Sequence, residues 1–221
     1  TNTDNWAQNK GINSIVSNNY YNDETRSVTT NCFKNEKFIY TINEDRTVTA
    51  NKCLYTEEYM NLPNQINGLK IIKLGYGFLT DIKDFSDNDV EVNNELIKIK
   101  SLKLPNTLKE IDTGAIDLYG TLIYVPKSVE SMYKYTGLLK KNYSSSYRLS
   151  FLAFESEELP TFIDGNETIS GDDWKESMDN EVRFACAIDY NQVKYNEDDK
   201  TFYYSALLQS SVLACMDVES R

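Results

Sequence analysis

Carboxylates are the commonest reactive groups in the chain: 34 Asp and Glu stand against 23 Lys and Arg, and there is no His at all. Without imidazole, Ser-His-Asp and Cys-His nucleophile systems and most hydrolytic zinc sites are removed together. Catalysis would have to use carboxylates, Lys, Tyr or thiols. Two carboxylates are enough to hydrolyse a glycoside, so a carboxylate glycosidase stays as a minor alternative with no motif behind it. The richest run of oxygen donors is Asp164-Gly165-Asn166-Glu167-Thr168-Ile169-Ser170-Gly171-Asp172-Asp173. Its Asp164, Asn166, Asp172 and Asp173 would suit a hard cation such as calcium. The run lacks the spacing and terminal Glu of an EF-hand, and plain acidic turns favour the same residue types. No other cofactor is expected. A second acidic stretch, from Asp81 to Glu95, carries little glycine and reads as a solvated loop.

The four cysteines stand at 32, 53, 186 and 215, well apart, with no Cys-x-x-Cys pair and no His to complete the set, so a structural zinc site is not expected. One pair early and one pair late fits two local disulfides, Cys32 with Cys53 and Cys186 with Cys215, and an oxidising compartment. Four buried reduced thiols are the competing reading, because buried Cys packs as a small hydrophobe.

The net charge of -11 repels phosphate backbones and anionic lipid alike. Nucleic acid is therefore not an expected partner. The longest apolar stretches, residues 202–208 and 211–216, fall short of the roughly 18 to 20 residues that a membrane span requires. The chain opens at Thr1 without Met, which points to a matured or trimmed chain, so that any leader or anchor would lie upstream of it. One stretch is both aromatic and basic: Tyr133, Tyr135, Tyr143 and Tyr147 with Lys140, Lys141 and Arg148. Such residues suit a partner surface; the alternative is that they pack on the preceding core.

These groups must be positioned by recognisable elements. Trp6, Ile12, Ile15, Val16 and Tyr20 are spaced along one helical face, which predicts an amphipathic helix over residues 6–21. Residues 37–50 alternate β-formers around the polar Asn43-Glu44-Asp45-Arg46, as a hairpin does. Three similar segments follow. Leu62-Pro63-Asn64-Gln65-Ile66 precedes Ile71 and Ile72, Leu104-Pro105-Asn106-Thr107-Leu108-Lys109-Glu110-Ile111 precedes Ile116, and Val125-Pro126-Lys127-Ser128-Val129 precedes Met132. The prolines at 63, 105 and 126 are separated by 42 and 21 residues. This predicts a unit of about 21 residues, within the leucine-rich-repeat range, with a degenerate unit over residues 80–100. Ser128 as N-cap and Val129, Met132, Tyr133 and Leu139 along one side predict a capping helix over 128–141. Strands are expected over 149–154, 182–190 and 201–216, the last two joined by a hairpin loop at 196–200.

Tyr40-Thr41-Ile42-Asn43-Glu44-Asp45-Arg46-Thr47-Val48-Thr49, followed by Leu62-Pro63, Ile66-Asn67-Gly68 and Ile72, resembles the hairpin and first repeat of BspA-like leucine-rich-repeat surface proteins. The segment from Leu104 to Ile111 resembles a standard repeat of that family, and the likeness covers about residues 37–130. It implies a non-enzymatic bacterial adhesion protein, secreted or at the cell surface, whose partner is a host or cell-surface protein or a glycan. The expected fold is α+β: an N-terminal helix and hairpin, a short irregular repeat array with a helical cap (residues 1–143), then a mainly antiparallel β domain (144–221). The alternative is a self-assembling, type IV pilin-like filament subunit whose apolar N-terminal helix has been removed, with the late cysteine pair bracketing its C-terminal loop.

Overall fold

A polar turn between two alternating strands forces the chain back on itself, and this hairpin begins the fold. In the computed structural model, which describes residues 14–20, 28–79, 98–116, 118, 121–133, 151–173, 183–196, 198 and 201–204, β3 (Phe38–Ile42) pairs antiparallel with β4 (Val48–Cys53). Phe38, Tyr40 and Ile42 are buried while Ile39 and Thr41 are less so, as one-sided burial of an antiparallel pair requires. The turn closes through Asn43 N–H to Thr47 O at 2.9 Å and Arg46 N–H to Asn43 O at 3.0 Å, with Arg46 in the left-handed region. Two further strands extend this sheet on the other side of β3: β2 (Val28–Lys34) and β1 (Ser14–Tyr20).

From residue 59 the chain winds as a coil that visits two sheets in turn, successive coils pairing in parallel within each. The first coil supplies β5 (Tyr59–Asn61) to one sheet, then β6 (Gln65–Ile66) and β7 (Leu69–Leu74) to the other. Asn67 and Gly68, both at positive φ, make the tight turn that folds β6 against β7. The second coil supplies β8 (Ser101–Lys103) and β9 (Glu110–Ile111), the third β10 (Leu122–Val125) and β11 (Ser131–Tyr133), and the fourth β12 (Phe151–Phe154) and β13 (Thr161–Asp164). Then β14 (Glu167–Ile169) turns back on β13, β15 (Arg183–Ala185) joins β12, and β16 (Val193–Asn196) with β17 (Thr201–Tyr204) forms a separate hairpin. The smaller sheet runs β5-β8-β10-β12-β15. The larger runs β1-β2-β3-β4-β7-β9-β11-β13-β14, so the β3-β4 hairpin covers the first coil by pairing β4 with β7.

The coils stack in register, and the register explains the repeated apolar residues. Met60, Leu102, Ile123 and Leu152 are successive rungs of the smaller sheet, and Leu74, Ile111, Met132 and Phe162 are successive rungs of the larger. All eight are nearly inaccessible and belong to one core that takes side chains from both sheets. Full burial of each such side chain stabilises by about 1.5–3 kcal/mol. The corners repeat as well: Leu108 N–H bonds Pro105 O and Val129 N–H bonds Pro126 O, at 3.0 and 3.1 Å.

Several sequence expectations are corrected. The fold is mainly β rather than α+β. In place of the N-terminal helix, residues 14–20 form β1; Ser and Asn are poor helix formers and Ile15 and Val16 are β-branched. The rest of that predicted helix lies outside the described residues. There is no helical cap at its expected start either: Ser128 and Val129 are a corner and Ser131–Tyr133 is a strand. Val129 and Met132 are three apart because one is a corner residue and the other a strand residue of the same coil, both facing the core. Nor does a degenerate unit intervene between the first two repeats, because Met60 pairs directly with Leu102 and Leu74 with Ile111. The 42-residue interval therefore separates two adjacent coils, and its residues 80–97 lie outside the described residues. The β3-β4 hairpin is as expected, and β12 and β17 lie within the strands expected over 149–154 and 201–216. The strand expected over 182–190 is only Arg183–Ala185 and joins β12, while the hairpin with β17 is made by β16, which the sequence did not announce. The strands β12, β13 and β15 continue the coil sheets across residue 143.

Candidate functional site

A solenoid presents side chains of successive coils in rows, about 4.8 Å apart across a sheet. On the larger sheet the outward row contains Lys73, paired with Glu110 in the next coil. Lys73 Nζ lies 2.5 Å from Glu110 Oε1 and 3.1 Å from Asp112 Oδ2. Burial would lower the Lys73 pKa, but the two carboxylates outweigh it and hold the ammonium above its usual value. Lys109 and Glu130 form a further ion pair between the second and third coils. Both carboxylates around Lys73 thus share one ammonium.

The corner between the sheets has a different character. Leu62-Pro63-Asn64 and Leu104-Pro105-Asn106 stack as equivalent turns of the first and second coils, tied by Asn106 N–H to Asn64 Oδ1 at 2.8 Å. Leu62 N–H also bonds Lys103 O at 3.0 Å. Between these turns lies a cavity of about 250 Å³ lined by Asn61, Leu62, Pro63, Asn64, Lys103, Leu104 and Asn106. Leu62 and Leu104 turn into the core, whereas Asn61, Asn64 and Asn106 are exposed, and the cavity presents almost only polar surface.

Lys103 is held by rings beside the cavity. Its Nζ lies 4.8 Å from the Tyr190 ring centroid and 5.9 Å from that of Tyr124, and the two rings are 5.0 Å apart. Such cation–π contacts fix an otherwise mobile stem. Tyr124 is buried and donates to Ile188 O at 3.3 Å. Burial, with the nearby Glu155 and Asp189 charges, pushes its phenol up to about 12.

The residues singled out in the sequence are placed as follows. Asp164 and Asn166 flank Gly165 in the turn between β13 and β14, while Asp172 and Asp173 lie beyond the end of β14 in a helical turn where Asp173 accepts from Ser170 Oγ at 2.7 Å. Among the described residues no three His, Cys, Asp or Glu side chains gather as a metal site. Cys32 and Cys53 are both buried free thiols. Because β3 runs between their strands, they are two strand spacings apart, beyond the reach of about 7 Å between Cα atoms that a disulfide requires. Cys32 Sγ instead lies 3.8 Å from Thr41 Oγ1, and Cys53 Sγ donates to Tyr55 O at 3.3 Å. Cys186 follows β15 partly buried; Cys215 lies outside the described residues. Of the aromatic and basic cluster only Tyr133 is described, on β11; Tyr135, Lys140, Lys141, Tyr143, Tyr147 and Arg148 lie outside the described residues, as do residues 81–97.

The corner residues Asn61, Asn64, Lys103 and Asn106 were not among the sequence candidates. The signal was present in the Leu-Pro-Asn repeated at 62–64 and 104–106, but only direct stacking of the two turns makes it a shared cavity. Comparison with known proteins finds no family model, no curated protein and no solved structure that matches this chain.

Proposed function

We propose that this chain is a non-enzymatic recognition module of BspA-like, cell-surface or secreted type, using its coiled repeats as a rigid scaffold for binding a host or cell-surface protein or a glycan. The observation that carries this reading is the stack of four coils, entered through a hairpin that pairs with the first. Such a scaffold holds side chains of different coils in fixed rows and binds through an extended surface. The sequence resemblance over residues 37–130 supports the same reading, and the polar corner offers such a surface with the exposed amides of Asn61 and Asn106.

The test is a binding survey with the full chain on immobilised glycans and matrix proteins, run beside hydrolysis assays on aryl glycosides. Saturable binding without turnover is expected. Turnover lost when Glu110 or Asp112 is changed to its amide would overturn the reading in favour of a carboxylate enzyme. The filament alternative depends on an N-terminal helix, and since Ser14–Tyr20 is a strand paired with β2, it is not carried forward.

A further inference from the structure

We infer that the corner cavity between the first two Pro-Asn turns binds a single uncharged, hydroxyl-rich sugar unit of a glycan; the inference rests on the recognition reading and names the ligand class of one site within it. Three observations lead there. The first is size: at about 250 Å³ the cavity falls below the roughly 300 Å³ at which drug-sized ligand sites begin. It takes one ring, not an extended molecule.

The second is the chemistry of the lining. Each Asn amide both donates and accepts, which matches sugar hydroxyls that also do both, while Lys103 adds a donor only. The Asn61 side chain makes no hydrogen bond to other described residues, and in Asn106 only the backbone N–H is engaged there. Their amides are therefore available without breaking an existing bond, and a ligand has no internal partner to displace. Asn64 Oδ1 already accepts from Asn106, which fixes the turn geometry before a ligand arrives.

The third is charge. Among the described residues the Lys103 ammonium faces the Tyr190 and Tyr124 rings, and no carboxylate forms an ion pair with it. Held there, it can point a donor at a hydroxyl or ring oxygen. A chain of net charge -11 repels an acidic sugar at long range but is indifferent to a neutral one.

The experiment is a titration of the isotopically labelled full chain with methyl glucoside, methyl galactoside, N-acetylglucosamine and glucuronate, followed by NMR at 50 mM and 500 mM salt. At least one neutral sugar should give saturable shifts confined to residues 61–64 and 103–106, unchanged by salt. Asn61→Ala with Asn106→Ala should weaken that binding about tenfold or more, two hydrogen bonds being lost; both positions are exposed, so folding is preserved. Lys103→Gln should weaken it also, and Lys103→Arg should restore part of the loss. Absence of shifts, shifts elsewhere, shifts indifferent to the Asn variants, or tighter salt-sensitive binding of glucuronate would each overturn the assignment. If the survey of glycans and matrix proteins still shows binding in those cases, the corner assignment alone has failed.

Discussion

Thr107 and Ser128 occupy the same place in successive coils, yet only one of their hydroxyls is satisfied. Thr107 Oγ1 lies 2.7 Å from Ile71 O and 3.0 Å from Asn64 O, bridging the second coil to the first. Ser128 Oγ is buried with no partner among the described residues. A lost hydrogen bond costs about 1 kcal/mol, more when a buried carbonyl is left unpaired. Thr107→Val should therefore destabilise by about 1–2 kcal/mol in urea unfolding, and Ser128→Ala should be within about 0.5 kcal/mol of the parent. Equal losses in the two variants would show that the corners are not held as described.

The stacked rungs make a sharper demand. Ile111 is fully buried between Leu74 and Met132, so Ile111→Ala should cost about 2–5 kcal/mol. Leu54, 38% exposed, should tolerate Ala with a change of about 0.5 kcal/mol or less. Guanidinium unfolding of both variants decides the matter.

Two glycines separate backbone strain from crowding. Gly68 and Gly114 both have positive φ, but a Cβ at Gly68 meets nothing within 4 Å, while one at Gly114 lies 2.7 Å from Tyr76 Cε2. Gly68→Ala should cost about 1–2 kcal/mol for the left-handed backbone, and Gly114→Ala measurably more. Thermal midpoints that fall equally would rule out the close approach of Tyr76.

Alkali should unfold this protein early. Burial pushes the Tyr55 and Tyr124 phenols up to about 12 and the Cys53 thiol up to about 11; it also raises Tyr40, although Asn67 Nδ2 donates to its hydroxyl at 2.7 Å and opposes the shift. Each group binds its proton more tightly when folded than when unfolded. Their contribution is complete below the unfolded values of 9.0 and 10.0 and is lost as pH climbs towards 11–12. Melting temperature should be level from about pH 7 to 8.5 and then drop. Tyr124→Phe, lacking one titrating phenol, should show a shallower drop; a steeper one would contradict the burial of that hydroxyl.

Thiol labelling tests the placement of the early cysteines. In native protein without reductant, Cys32 and Cys53 should resist a maleimide because both are buried; after denaturation, still without reductant, both should react. Peptide mapping that finds them joined would overturn the order β2-β3-β4.

Much of this architecture was legible in the sequence, and the parts that were not have identifiable physical causes. The hairpin was visible because residues 38–42 and 48–53 alternate around a polar turn, and the 21-residue period because Leu104 and Val125 each precede a proline at equivalent corners. The fourth coil was hidden because Glu155 stands where a proline would be; its N–H bonds Val125 O, and its side chain accepts from Lys127 N–H at 2.9 Å. The imagined cap arose because a corner residue and a strand residue of one coil, Val129 and Met132, copy the spacing of a helical face. The corner cavity needed knowledge of which turns touch, and a 42-residue interval does not say whether it contains one coil or two.

That interval has an evolutionary consequence. On either side of residues 80–97 the first and second coils are bonded directly to each other: Leu79 N–H reaches Ala115 O, and Lys100 N–H reaches Glu58 O. Doubling the length of a loop costs only about 0.6 kcal/mol in closure entropy, far less than one buried rung contributes. Changes in the length of chain between residues 79 and 98 can therefore accumulate while the stack inherits almost none of the cost.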